Sequence, residues 1–260
     1  MSEVSVSYKG NTIAAMDDSG RKVLRTQGKY CEGDITVSYT KPSGGAAITD
    51  GIVITERNVN GFATKAVLYG TVVQPQQFYN RILTDGAWKS LSELQFANPV
   101  TEIKLNAFKA CPVPSIDLSS VESFGANSFE GSLIQTVHAP SAVTIEAGAF
   151  LGCTALTTIY IPKITILNKT YVFRNCTALQ NVQIGSAGYG VTNIVNSTFQ
   201  GDTQSNLTII IYTKGSYADT AVANARNGAT NAAIIIKASE NTTYNGTTYA
   251  AGDTILTSAP

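Results

Sequence analysis

Charge is scarce in this chain of 260 residues. Asp, Glu, Lys and Arg make up 14%, and 18 basic residues balance 18 acidic ones. There is no long run of like charge. A weakly charged, neutral chain lacks the field that drives nucleic-acid or polybasic membrane association, so neither partner is expected. Histidine is scarcer still, with His138 alone, and the four cysteines (Cys31, Cys111, Cys153, Cys176) contain no Cys-x-x-Cys pair. A zinc centre needs such ligands clustered, so no metal or cofactor is expected. No stretch reaches the roughly 18 apolar residues of a membrane span. Met1-Ser2-Glu3-Val4-Ser5 carries neither the basic nor the apolar part of a secretory signal. The expectation is a protein made in a cytoplasm, not inserted in a membrane, and able to leave by cell lysis. G-x-S-x-G, H-E-x-x-H and P-loop motifs are missing. Any Ser-His or Cys-His device would have to use His138, and no spacing singles out a pair of carboxylates. A non-enzymatic protein without catalytic residues is therefore expected.

What is present is a period. Phe108, Phe129, Phe150 and Phe173 recur at gaps of 21, 21 and 23 residues, and Phe199 follows after 26. A period of 20–30 residues marks a solenoid. The third and fourth units share the frame A/V-F-x-x-C-T-A-L-x-x-I/V-x-I. It runs from Ala149-Phe150 through Cys153 to Ile159-Tyr160-Ile161, and from Val172-Phe173 through Cys176 to Val182-Gln183-Ile184. The second unit has Ser132 at the Cys place and Val137-His138-Ala139 at the triplet. The first has Cys111 and Ile116-Asp117-Leu118, and the fifth has Asp202 and Ile209-Ile210-Ile211. Alternation in the triplets argues half-buried strands, which stacking would set side by side as a parallel sheet. Phe108, Phe129, Phe150, Phe173, Cys111, Cys153 and Cys176 should then point inward as the repeat core. That makes the cysteines small buried apolar groups and not a disulfide framework.

The frame resembles the BspA-like class of leucine-rich repeats, over about residues 95–213. The resemblance implies a right-handed solenoid of four to five units in a β-rich chain with short helices. Val100–Leu105 looks like a strand of a truncated unit ahead of Phe108. Four segments are expected: 1–42, a small β-module; 46–92, a β-hairpin and N-terminal cap; 93–212, the repeats; and 213–260, a C-terminal cap. In the first, Val4–Tyr8 and Ile35–Tyr39 alternate as strands, with turns at Lys9-Gly10-Asn11 and Asp17–Gly20 and a linker at Pro42–Gly45. In the second, Asn60-Gly61 signals a hairpin between 51–55 and 64–69, and Phe78 and Trp88 are expected to cover the solenoid end. In the last, residues 216–228 read as a helix with Ser216 as N-cap and Gly228 as the stop, with Ala218, Val222 and Ala225 sharing one stripe. A strand over 232–237 and an Asn245-Gly246 hairpin follow.

The register turns Asp117, His138, Tyr160 and Gln183 outward, with Ile210 after them and Lys104 before them. Ser115, Thr136, Thr158, Asn181 and Thr208 form the neighbouring outward positions. Repeat proteins use such strips to hold partners, and hydroxyl, amide and aromatic groups together suit a glycan. A row of merely solvated strand residues is the competing reading. The stretch Tyr8–Ile13 with Gly28–Val37 resembles a module at the start of tail-associated proteins of Firmicutes phages and prophages. That resemblance implies a virion protein of the tail, or a receptor-binding protein. Its residues 1–42 would join other virion subunits, homotrimers being common in tail fibres. Its repeats would recognise a bacterial surface glycan or protein. A bacterial cell-surface adhesin, which needs an export signal or wall anchor, stays open beside it. So do an intracellular interaction scaffold and a tail-associated glycan hydrolase.

Overall fold

The computed structural model describes residues 51–79 and 88–259, together with the backbone of three strands nearer the N-terminus. Those strands are β1 (Glu3–Tyr8), β2 (Asn11–Met16) and β3 (Ile35–Thr40), an antiparallel sheet in the order β2-β1-β3. The alternating runs mark β1 and β3, whereas β2 was not foreseen because Thr12-Ile13-Ala14-Ala15 does not alternate. Cys31, the turn at 17–20 and the linker at 42–45 lie outside the described residues.

Strands β4 (Gly51–Arg57) and β5 (Ala63–Tyr69) form the expected hairpin. Asn58 shapes its turn, its Oδ1 accepting from the N–H groups of Asn60 and Phe62, both at 3.0 Å. Gly61 supplies the left-handed residue at φ +80°. β5 then lies parallel to β7 (Glu93–Phe96), and β6 (Val72–Val73) parallel to β8 (Glu102–Ile103). Strand pairing thus runs across the expected segment boundary at residue 92.

Each solenoid turn then serves two faces. On one, β9 (Ser123–Phe124) and β11 (Thr144–Ile145) continue from β6 and β8, and β13 (Ile166–Leu167) pairs with β15 (Asn193–Ile194). On the other stands a six-stranded sheet. Its parallel members are β10 (Thr136–His138), β12 (Thr158–Ile161), β14 (Asn181–Ile184), β16 (Thr208–Thr213) and β17 (Ala233–Ala238). β20 (Thr254–Ser258) closes it antiparallel. Two expectations need correction. Ile116-Asp117-Leu118 is not a strand, because Pro112 and Pro114 just before it lack the N–H groups a ladder needs. Its burial still alternates, with Ile116 and Leu118 buried and Asp117 exposed. Lys104 follows β8 directly, so it belongs to the opposite face and not to the outward row.

The core is a column of rings. Phe78, Phe108, Phe129, Phe150, Phe173 and Phe199 stack in order, with centroids 4.7, 4.9, 5.2, 5.5 and 5.7 Å apart, and all are buried. The N–H of each of the first five donates to a carbonyl of the next turn at 2.7–2.9 Å, as Phe129 does to Ala149 and Phe150 to Val172. Rings therefore repeat at the pitch of the backbone. Phe78 is a rung of the column, which gives it one rung more than the sequence count. The 30-residue gap to Phe108 hid it, and Trp88 stands edge-on to it at 6.0 Å. Tight corners flank the rings from Phe108 to Phe173, and one stands before Phe78 and one after Phe199. Gln76, Asn106, Asn127, Gly148 and Tyr171 have positive φ two residues before their Phe, and Ala110, Gly131, Gly152, Asn175 and Gly201 two residues after. At Gly148 a Cβ would strike Asn127 Oδ1 of the preceding turn, so glycine is required there for space as well as for φ.

Helix α1 (Ala218–Gly228) covers the far end, preceded by a 3₁₀ turn at Gly215–Tyr217. Ser216 falls in that turn and does not cap the helix. Tyr217 holds the N-cap place, and its hydroxyl instead accepts the Ile194 N–H at 2.8 Å. Gly228 is the last helical residue, where a Cβ would press on the Phe199–Gln200 backbone. It is a close-approach glycine and not a chain stop. The buried stripe is Ala218, Ala221, Ala225 and Gly228, with Val222 only half-buried. β18 (Thr242–Tyr244) and β19 (Thr247–Tyr249) form the second hairpin through Asn245-Gly246, at φ +48° and +79°.

Candidate functional site

Parallel pairing fixes what faces out. Val137, Ile159, Val182, Ile209 and Ile234 are buried, so their strand neighbours must point the other way. In register these are His138, Tyr160, Gln183, Ile210 and Ile235, and Thr257 continues the row on β20. The structure thus brings His138, Tyr160 and Gln183 onto one outward row, and places exposed Asp117 on the irregular turn before them. Ile235 and Thr257 were missed. β17 was legible as a strand, but no Phe-x-x-Cys frame tied it to the row.

Two features give this row shape. The His138 and Tyr160 rings lie parallel at 5.0 Å, with 10° between planes. They form one flat surface at the strand spacing. Beside them runs the companion row Thr136, Thr158, Asn181, Thr208 and Ala233. The second feature is a cleft of about 200 Å³ at the N-terminal end of the row, lined by Phe96, Asn98, Val100, Asp117 and Ser120 among others. It exists because β7 ends at Phe96 and the prolines keep the next turn out of the sheet. Asn98 and Ser120 carry no sequence pattern that could have nominated them. Asp117 is held ionised here. Hydrogen bonds from Ser119, including its N–H at 3.0 Å, pull the carboxyl below the usual carboxylate range, and His138 adds to this. The site offers a fixed anion, polar groups and a stacked ring surface on a rigid base.

The thiols lie on the other side of the sheet. Cys153 donates to the Phe129 carbonyl at 3.0 Å and Cys176 to the Phe150 carbonyl at 3.1 Å. Cys111, Cys153 and Cys176 are buried free cysteines, and burial pushes the Cys111 thiol up to about 12 and the Cys176 thiol well above its ordinary value. Cys153 goes the other way, lowered by its hydrogen bond from Cys176 against its burial, so thiolate chemistry is disfavoured at Cys111 and Cys176. Among the described residues no cluster of three or more His, Cys, Asp or Glu could hold a metal ion, and no helix is long and apolar enough to cross a membrane.

Comparison with known families agrees with the frame. Residues 87–212 match the BspA type leucine rich repeat region, in 6 copies. No curated protein and no solved structure matches the chain.

Proposed function

We propose that this BspA-type repeat region makes the protein a non-enzymatic recognition protein, which holds a bacterial surface glycan or protein along Asp117, His138, Tyr160 and Gln183. The observation that carries the reading is the parallel ring pair of exposed His138 and half-buried Tyr160 on the outward side of a rigid sheet. An aromatic pair costs little ordering on binding when the backbone already fixes it. The cleft beside Asp117 gives the row a polar end, and Ile210 and Ile235 give it an apolar one. In our reading the protein works in the tail of a phage or prophage, where the N-terminal module joins other virion subunits. The sequence run over residues 8–37 supports this. A bacterial cell-surface adhesin is the second reading, and the repeat type itself favours it.

Binding to a bacterial glycan array, wild type against Tyr160→Ala, tests the row. Signals lost in the variant support it, and equal binding by the two proteins defeats it. Neighbouring genes separate the contexts: tail, baseplate or lysis genes beside this one support the virion, and their absence removes that setting.

A further inference from the structure

We propose that Asp202 stays a neutral carboxylic acid inside the last turn of the solenoid and acts there as a proton-dependent latch. Protonated, it closes the final rung. Ionised, it loosens the segment 199–213 and the helix α1 packed upon it.

The argument starts from position. Asp202 follows Phe199 by three residues, as Cys111, Ser132, Cys153 and Cys176 follow their own phenylalanines, and all five are buried. The task of this position is visible one and two turns earlier. Cys153 and Cys176 each donate a proton to the Phe carbonyl of the turn before, at 3.0 and 3.1 Å. Translation of that geometry by one more turn points the Asp202 side chain toward the Phe173 carbonyl, beside the Cys176 backbone N–H. A carboxylate has no proton to donate, whereas a carboxylic acid does.

The surroundings agree. Asp202 is fully buried, and neither carboxyl oxygen has a hydrogen-bond partner. The nearby amide of Gln204 is spent on the carbonyls of Cys176 and Leu179, at 3.2 and 3.0 Å. The titratable group beside it is the Cys176 thiol of the preceding turn, which burial and the Asp202 carboxyl both push up, so it stays neutral. Helix α1 meets this turn through Gly228, against the Phe199–Gln200 backbone. A buried carboxylate without a cation or donor is costly, and the group avoids the cost by keeping its proton. Burial accordingly pushes the Asp202 carboxyl up to about 8, against a smaller lowering by the nearby Cys176 backbone N–H.

The sign follows from linkage. An unfolded Asp titrates near about 3.9, so the folded value lies above the unfolded one. The stability from this group is fully present below about pH 4 and is lost as pH rises through about 8. The last turn should therefore be tightest in acid and weakest in mild alkali.

Thermal unfolding of the full chain between pH 5 and 9.5, wild type against Asp202→Asn, tests this. Asn keeps a donor for the Phe173 carbonyl and cannot ionise. The expected result is a Tm gap in favour of the variant that widens by about 3 °C or more from pH 6 to pH 9. Amide exchange at pH 9 should show faster opening of 199–213 and α1 in the wild type. A second measurement needs no folded variant: infrared difference spectra of the wild type should show a protonated carboxyl at pH 6 that disappears near pH 8. Parallel Tm profiles for the two folded proteins, or no protonated carboxyl at pH 6, would overturn the proposal.

Discussion

The inner and outer sides of the six-stranded sheet obey one stacking rule with opposite consequences. Inside, Phe129, Phe150 and Phe173 lie ring on ring at 5.2 and 5.5 Å, closed from water. Outside, His138 and Tyr160 lie ring on ring at 5.0 Å, the first exposed to it and the second half-buried. The pitch of the backbone sets both spacings. Burial is what differs. The inner column supplies stability, because each ring removes apolar surface from water and adds about 0.5–1.5 kcal/mol of ring contact. The outer pair keeps its flat face available, so its stacking serves a partner more than the fold.

The largest test of this contrast is Phe150→Ala. The ring sits mid-column between two neighbours, and its removal leaves a cavity that the fixed pitch cannot close. A loss of about 3–5 kcal/mol is expected in urea unfolding. A loss under about 1 kcal/mol would mean that the turns collapse around the gap, and the column would not be the source of rigidity.

Arg226→Ala probes the end of the sheet, between the two extremes. The guanidinium donates to the carbonyls of Thr230 and Ala232, to the Ser258 carbonyl and hydroxyl, and to the Ala259 carbonyl, at 2.7–3.1 Å. It thereby ties helix α1 to the closing strand β20. A loss of about 2 kcal/mol is expected, with faster amide exchange confined to β20. Uniform exchange across the solenoid would instead show that β20 and the repeats open together.

Tyr160→Ala should sit near the opposite limit, within about 1 kcal/mol of the wild type, since this half-buried strand position has solvent on one side and loses mainly its ring contact with His138. Its effect belongs in binding. A stability loss as large as that of Phe150→Ala would erase the distinction between the two sides.

How much of this was legible follows the same division. The inner column announced itself because Phe and Cys are uncommon and recur in one frame. The outward row follows from it by alternation alone, which is enough to turn His138, Tyr160 and Gln183 to the same side. What escaped was set by geometry without a repeat signature. Phe78 is a rung separated by an irregular span. Lys104 lies on the second face, because each turn contributes two short strands and the sequence pattern marks only one strongly. Arg226 reads as an ordinary helix residue until the chain end folds back onto it. The cleft at Asp117 depends on prolines breaking a strand, and Asn98, which also lines it, comes from a different turn.

The smallest expected effect concerns Asp117, where the two sides meet in one electrostatic question. Its carboxyl is lowered first by hydrogen bonds from Ser119, then opposed by modest burial and helped by His138. The folded value therefore lies below the unfolded one. The stability it gives is present above the unfolded carboxyl range and is lost as pH falls through the folded value. Exposure to solvent keeps that contribution small. Following the Asp117 carboxyl carbon by NMR through an acid titration reads it directly. His138→Ala should raise the midpoint slightly, and Ser119→Ala should raise it more. If His138→Ala leaves the midpoint unchanged, the carboxylate and the ring pair do not share a field. The row would then be two separate features, and a ligand that needs an anion beside a stacked ring would lose its footing here.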